Sequence, residues 1–474
     1  MIPFLKKHFT PILNIFILCV VGVFYFIPLD FNLYYTDFPL KLFFRIIIGI
    51  VIIISCIDVF FRWKTLFQNI SPFRTFITIL ASFLICLYPY KYKMILGLGI
   101  VLLLLCLFYG IYKKTFYRPH PIMIAFFLLS FMKFLSILWS DNFSKSFHHI
   151  DYYCLFIMLP IVSCFYKVQK KELYPFIYIP FIVFINLMTL NIASYIFLVK
   201  QYQKPLFSFL SLSKGYLGDI SYIETMKWSV TLHQSMIGWG FLLVFVMGYW
   251  LWRENKQKWI TSWHIIFYFI LLIIVSLIIQ ARVVILGIGI IMLVFLWVEL
   301  MKKVKSRKKI IYYTSFASLI ILFLLPFLII KKNNYFNDEI RNRMNLAAWN
   351  SFKESPFLGK GAGSEENVII KAGYDFHTLH NDYLSTLVEQ GLVGFLFILF
   401  FHIFVIYFGI KNKFLLGIYV LITFFLFNTT EGIMGLPICI PLFLFCLLPP
   451  EDTSCLSPEK NISLPANTQT QDTP

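Results

Sequence analysis

The sequence predicts an all-α, polytopic membrane protein. Residues of the set Ala, Val, Ile, Leu, Met, Phe, Trp, Tyr and Cys make up 59% of its 474 residues, and charged residues only 14%. Soluble domains are nearer half apolar and about one quarter charged. A chain of this length holds more apolar residues than one compact core can bury, so the surplus must face lipid.

The apolar residues fall into runs that predict roughly 12–14 transmembrane helices, since crossing a bilayer takes about 20 apolar residues. Backbone polar groups in lipid must be hydrogen-bonded within each segment, which requires helices. The first run follows two lysines but is long enough to span, so it is interpreted as a helix and not a cleaved signal. The runs are 9–28, 42–61, 75–90, 94–112, 121–139, 151–166, 174–199, 233–252, 260–280, 282–300, 310–330, 388–410, 414–430 and 432–449.

The net charge of +18 is carried by short basic loops between the apolar runs. Such loops mark the cytoplasmic side of a membrane, and no basic domain stands apart to bind nucleic acid. With the N-terminus inside, the segments 29–41, 91–93, 140–150, 200–232 and 331–381 lie outside. The basic residues are Lys113, Lys114 and Arg118; Lys167, Lys170 and Lys171; Arg253, Lys256 and Lys258; Lys302 through Lys309; and Lys411 and Lys413.

This topology predicts five regions. Residues 1–232 form an N-terminal transmembrane bundle with the external loop 200–232, and residues 233–330 form central transmembrane helices. Residues 331–381 form a long external loop that carries short helices, and 382–449 form C-terminal transmembrane helices. Residues 450–474 are rich in Ser, Thr, Asn, Gln and Pro and predict a disordered cytoplasmic tail.

The external segment 331–381 holds the strongest candidate for chemistry. We expect a short amphipathic helix from about Asn345 to Lys353, then a flexible turn at the glycines 359–363, then a helix capped by Asn381 or Asp382. His380 precedes that helix, and an imidazole there can accept a proton from a substrate hydroxyl. A surface histidine bonded to loop backbone is the structural alternative.

Several other polar residues are expected on the same side. Arg282 lies between two apolar runs and is either an interfacial arginine or a guanidinium that binds an anionic headgroup. Arg341 and Arg343 can add to that anion site or stay solvated. The secondary candidates are His233, His377, Glu431 and Asn381. Lys133, inside an apolar run, has no explanation in the sequence.

Two motifs resemble the signature of the O-antigen ligase and polymerase superfamily. They are His380-Asn381-Asp382-Tyr383-Leu384 and Leu387-Val388-Glu389-Gln390-Gly391-Leu392-Val393-Gly394. Further likenesses are Arg343, Trp349, Pro356 and Gly361-Ala362-Gly363 upstream, Arg282, and Leu138-Trp139-Ser140-Asp141. The resemblance covers residues 230–445, and the N-terminal half only in hydropathy and the last of these motifs. Ala281 stands where the family usually has Ser, and Lys360 where an apolar residue is common.

The resemblance implies an inverting glycosyltransferase of the GT-C type, multi-pass in the bacterial inner membrane, with its active site toward the periplasm. The donor is a glycan on undecaprenyl pyrophosphate, and the acceptor is a lipid A-core sugar hydroxyl. The family also contains polymerases that join lipid-linked repeats and enzymes that glycosylate protein hydroxyls. His380 is then the general base, and Arg282, Arg343 and Arg341 bind pyrophosphate.

The sequence has no metal-ligand spacing, P-loop or dinucleotide glycine motif, so we expect neither a metal ion nor another cofactor. A polytopic transporter is the remote alternative, but it would place its charges in broken helices at mid-membrane. Here most of the notable charges lie at the outer face.

Overall fold

The computed structural model describes residues 2–26, 53–88, 92–148, 150–201, 205–206, 234–254, 259–279, 281–303, 339–374, 378–433 and 436–451. Helices dominate these residues, and no strand occurs among them, so the predicted all-α polytopic fold is confirmed. The predicted span 310–330, most of loop 200–232, the tail after 451, and the candidates His233 and His377 lie outside the described residues.

The helices follow the apolar runs, and their starts carry recognisable capping signals. Helix α5 begins with Pro121 at its first position after His120, whose ring accepts from the amide of Ile122. In chain order the helices are α1 Ile2–Phe26, α2 53–66, α3 Pro72–Leu87, α4 Tyr92–Tyr112, α5 Pro121–Leu135, α6 Phe143–His148, α7 Ile150–Ser163, α8 Lys170–Gln201, α9 Gln234–Glu254, α10 Ser262–Ile278, α11 Arg282–Lys303, α12 Glu339–Glu354, α13 Ser364–Lys371, α14 Asp382–Lys411, α15 Leu415–Asn428 and α16 Cys439–Leu442.

Six helices in the described part of the chain are long and apolar enough to cross a membrane: α4, α5, α8, α9, α11 and α14. Shorter apolar helices accompany them, at 8–23, 72–87, 154–163, 262–278 and 415–428. Most residues of α8 and α9 are buried, whereas most residues of α4, α11 and α14 are partly or fully exposed. The core therefore lies around α8 and α9, and the exposed apolar faces suit contact with lipid.

The predicted span 432–449 is not a full-length helix. After residues 434–435, which are outside the described part, the chain forms the four-residue α16 and a π-helical turn, Phe443–Leu447. Pro437 and Pro441 lack the amide hydrogens that a continuous helix needs. The segment is instead buried among other helices and supplies core residues such as Phe443.

The two ends of the bundle differ in their polar content. At one end, where α3 and α8 begin, Arg74 forms a buried ion pair of 2.7 Å with Glu172, and Tyr166 also donates to this carboxylate. Buried charges are tolerated when paired and hydrogen-bonded in this way. At the other end α5 and α15 finish and α14 starts, and α12 and α13 pack against α14. We call this the site end.

Candidate functional site

His380 lies in a turn whose conformation is fixed by the start of α14. The Asn381 side chain caps that helix by accepting from the amides of Tyr383 and Leu384, both at 3.1 Å, which confirms the predicted capping. His380 itself has a left-handed backbone, with φ of +53°, a conformation that is uncommon outside glycine. The turn therefore directs the imidazole in one direction, toward the chain that follows α15.

The imidazole of His380 contacts the carboxylate of Glu431. The distance from Nδ1 to Oε2 is 3.1 Å, and the Glu431 side chain is fully buried while that of His380 is partly exposed. A carboxylate beside Nδ1 favours the tautomer with its proton on Nδ1, which puts the lone pair on Nε2. This arrangement suits a base that works through Nε2.

Arg341 completes the cluster from α12. Its Nη2 lies 3.1 Å from Oε1 of Glu431, and its Nη1 donates to the carbonyl of Thr430 at 2.9 Å. Because the Glu431 carboxylate is buried, it needs a compensating positive charge, and Arg341 supplies it. Arg341 thus contacts a protein carboxylate, whereas the sequence left open a residue of an anion site or a solvated loop charge.

The segment that holds Glu431 is itself anchored to α14. The Glu431 amide donates to the Phe427 carbonyl at 2.7 Å, and the Ile433 amide donates to the Asp382 carboxylate at 2.8 Å. The first residue of α14 therefore fixes the segment on one side, while α15 fixes it on the other. His380 and Glu431, 51 residues apart, are held in a defined relation by these bonds.

Arg282 lies at the same end of the bundle as this cluster. Helices α11 and α15 are antiparallel: a Cβ on Gly287 would lie 3.6 Å from the ring of Phe427, and Phe295 contacts the ring of Tyr419. From the first pair to the second, α11 advances by eight residues while α15 goes back by eight, so the two helices keep one register. Arg282 is the first residue of α11, about 7.5 Å before Gly287 along the helix, so it lies at the end of the bundle where α15 finishes.

Arg343 does not join the cluster. It pairs with Glu339, one turn away on α12, and both side chains are mostly exposed. A solvated pair one helical turn apart is weak. Of the sequence candidates, the structure thus brings together His380, Asn381, Glu431 and Arg341, and places Arg282 at the same end of the bundle.

Residues 356–363, the glycine segment, insert into α14. In a regular helix the amides of Leu392 and Val393 would donate to the carbonyls of Val388 and Glu389. Instead they donate to Pro356 and Phe357, while the two carbonyls accept from Lys360 and Gly361 at 2.8 and 2.9 Å. The glycine segment therefore takes the place of one helical turn, at the point where Gly391 has φ of +63° and ψ of −157°.

The prediction of a flexible turn at these glycines is therefore wrong, because the turn is tightly packed. A Cβ on Gly359 would lie 2.5 Å from the Glu389 carbonyl carbon, and one on Gly361 would lie 2.3 Å from Cα of Ser140. On its other side the segment is bonded to the chain that follows α5. Trp139 Nε1 donates to the Leu358 carbonyl at 3.1 Å, and Ser140 Oγ donates to the Ala362 carbonyl at 2.6 Å.

A second polar cluster lies beneath the glycine segment. The Glu389 carboxylate accepts from the Gly363 amide at 2.6 Å and lies 3.3 Å from Nζ of Lys133. Burial, followed by the nearby charge of Glu389, raises the pKa of Glu365 to about 7. Glu365 also accepts from the amide of Leu379 at 3.4 Å, so this cluster contacts the turn that carries His380.

The sequence analysis did not pair Lys133 with Glu389, although the sequence contains a signal for this pair. Each is a charge inside an apolar run, and such charges are costly unless they find a partner. Two opposite charges in separate runs therefore predict a contact between α5 and α14. The structure shows that contact, and it explains Lys133.

The fold and this cluster define the chain as a multi-pass α-helical membrane protein with a polar site at one end of its bundle. The family model described as O-antigen ligase matches residues 267–399. Over this stretch the chain is similar to the O-antigen ligase superfamily, and the match supports a glycan-transferring function. The matched region includes Arg282 and His380 but ends before Glu431. No curated protein matches the chain.

Proposed function

We propose that this protein is a ligase-like inverting glycosyltransferase. It would move a glycan from undecaprenyl pyrophosphate to a hydroxyl of a lipid A-core sugar, at the periplasmic face of a bacterial inner membrane. The observation that carries the proposal is the contact of 3.1 Å between His380 and Glu431, at the end of the bundle where Arg282 begins α11. A base and a cation at one end of a membrane bundle suit a hydroxyl acceptor and a phosphorylated lipid donor.

In the proposed reaction, His380 acts as the general base. The acceptor oxygen attacks the anomeric carbon, Nε2 of His380 takes the proton of that hydroxyl, and the bond between the anomeric carbon and the phosphate oxygen breaks. The bonding electron pair stays on that phosphate oxygen, and the pyrophosphate leaves still attached to its lipid carrier. Glu431 stabilises the imidazolium that forms, as carboxylates beside catalytic histidines do. General base catalysis of this kind contributes about 10²–10⁴-fold to the rate.

Arg282 is the proposed partner of the leaving pyrophosphate. A guanidinium can donate two parallel hydrogen bonds to phosphate oxygens, and positive charge there stabilises the developing negative charge. Arg341 pairs with the Glu431 carboxylate beside His380, and we assign it to holding that carboxylate. Arg343 pairs with Glu339 and is mostly exposed. We propose that the guanidinium charge suffices and that the reaction needs no metal ion.

Purified protein in lipid nanodiscs tests this proposal directly. It is incubated with an undecaprenyl pyrophosphate oligosaccharide and, separately, with lipid A-core, a second lipid-linked repeat, and a serine-containing peptide. We expect glycan transfer to lipid A-core, unaffected by EDTA. Transfer only to the second repeat would identify a polymerase, and transfer only to the peptide a protein glycosyltransferase; either result overturns the ligase proposal.

The role of His380 is tested by His380→Ala, which should lower transfer by at least about 10²-fold. The matched control is His120→Asn at the opposite end of α5, where asparagine keeps an acceptor for the Ile122 amide. Circular dichroism and gel filtration verify that both variants are folded. Normal transfer by folded His380→Ala protein would refute the proposed base.

A further inference from the structure

We propose that a cavity between α12, α13 and the glycine segment binds one sugar unit of the glycan substrate, an inference that rests on the proposed glycosyl transfer. Its volume is about 460 Å³, within the usual range for small-molecule sites of about 300–1,000 Å³. Its lining is mostly polar and includes Asn350, Ser351, Glu354, Lys360, Asn367 and Lys371. Apolar contacts come from Ala347, Val368 and Ala372.

The first observation that points to a ligand is the hydroxyl of Ser351. This side chain lines the cavity and is only 6% exposed, yet its Oγ has no hydrogen-bond partner in the part of the chain that the structure describes. A serine hydroxyl in a helix ordinarily donates to a backbone carbonyl one turn earlier. Leaving it unpaired and buried costs free energy. Rotation about χ1 would turn Oγ into the cavity, where a hydroxyl of a bound sugar would recover that cost.

The charge of the cavity favours a neutral, hydroxyl-rich ligand. Two acidic residues, Asp141 and Glu354, face two basic ones, Lys360 and Lys371, and the ammonium of Lys360 contacts the carboxylate of Glu354. An anion such as phosphate would meet no net positive charge here. Carboxylates, ammonium groups and amides together can donate to and accept from the hydroxyls of a sugar.

The amide of Asn367 is held in place for such a contact. Its Oδ1 accepts from Asn142 at 3.1 Å, and its Nδ2 donates to the carbonyl of Asp141 at 3.4 Å. Side chains that are fixed before binding lose less entropy when they bind. The cavity is therefore preorganised along its α13 wall.

The position of the cavity sets the length of glycan that can reach it. Helix α12 is continuous from Arg341, beside Glu431, to Ser351. Ten residues of helix span about 15 Å, so the bound sugar lies well beyond the one whose bond is made or broken. The cavity would therefore hold an oligosaccharide that extends from the reaction centre, from either the donor or the acceptor.

Steady-state kinetics of Ser351→Ala and Asn350→Ala test the proposal. We expect KM for one substrate to rise about 3- to 10-fold, the loss of one hydrogen bond, with kcat unchanged. A rise in KM for the lipid-linked donor assigns the cavity to the donor glycan, and a rise for lipid A-core assigns it to the acceptor. Substrates cut to a single sugar should give equal KM values for variant and wild type. Asn345→Ala, on the opposite face of α12, is the matched control and should behave as wild type.

Saturation-transfer NMR separates failure of this inference from failure of the proposed function. The probes are the free oligosaccharides released from the donor and from lipid A-core, with inorganic phosphate as competitor. We expect one of them to bind the wild type and to bind Ser351→Ala more weakly, even if no transfer occurs. Any of three results would overturn the sugar site. These are transfer with unchanged KM in both cavity variants, equal binding of the oligosaccharides to Ser351→Ala and wild type, and displacement of the oligosaccharides by phosphate.

Discussion

Substitution of Gly391 by alanine should disrupt the insertion of the glycine segment into α14. The backbone of Gly391, with φ of +63° and ψ of −157°, lies in a region open essentially to glycine alone. A Cβ there would lie 2.3 Å from the carbonyl oxygen of Phe357. Since that carbonyl belongs to backbone, the new methyl group cannot be accommodated by rotating a side chain.

The size of the effect follows from what must move. Backbone strain of this kind costs about 1–3 kcal/mol. The segment and α14 share four hydrogen bonds between backbone groups, made by the amides of Lys360, Gly361, Leu392 and Val393. Each contributes about 0.5–1.5 kcal/mol, so the total loss lies between about 2 kcal/mol, if half of the bonds survive, and about 9 kcal/mol, if none does.

Thermal unfolding in detergent, with hydrogen exchange of residues 356–363 and 388–393, measures this loss. The control is Gly289→Ala in α11, where a Cβ would meet nothing within 4 Å and the backbone is helical. Alanine there should be neutral or stabilising by about 0.5–1 kcal/mol. If Gly391→Ala unfolds at the wild-type temperature, with wild-type exchange in both segments, the insertion is not a source of stability.

Two further perturbations address the polar clusters. Glu431→Gln keeps the shape of the side chain but removes the charge opposite His380, so kcat for transfer should fall by at least about 10²-fold; an unchanged kcat would show that the carboxylate plays no part. Burial beside Glu389 raises the pKa of Glu365 from its usual 4.5 to about 7, so between these values the native state holds a proton that the unfolded state has lost. Stability should therefore fall by up to about 3 kcal/mol as the pH rises through this window, and Glu365→Gln should flatten the dependence of the melting temperature on pH. A variant as pH-dependent as wild type would contradict the assignment.

The parts of the site that the sequence predicted are those governed by local signals. Asn381 was expected to cap a helix, and it does, because asparagine before an apolar run satisfies free amides at a helix start. The amphipathic helix expected at 345–353 is present and longer, Glu339–Glu354. Apolar runs predicted the membrane helices because the hydropathy of a run is also a local signal.

The parts of the site that the sequence did not predict depend on contacts between distant segments. The hydrogen bonds that join residues 356–361 to 388–393 are made by backbone atoms, which leave no sequence signal except the glycines that permit close approach. The glycines were noticed but interpreted as a flexible turn, because glycine in a loop also serves flexibility. Likewise Arg341 and Arg343 look equivalent in the sequence, yet only Arg341 faces Glu431.

The insertion of the glycine segment also bears on the order of assembly. Residues 356–361 leave the ribosome before 388–393, and neither stretch can complete its hydrogen bonds until the other has been synthesised and packed against it. Residues 339–374 thus cannot be produced as an independent unit without exposing half of a shared set of hydrogen bonds. These hydrogen bonds are therefore completed only after α14 has packed beside α5.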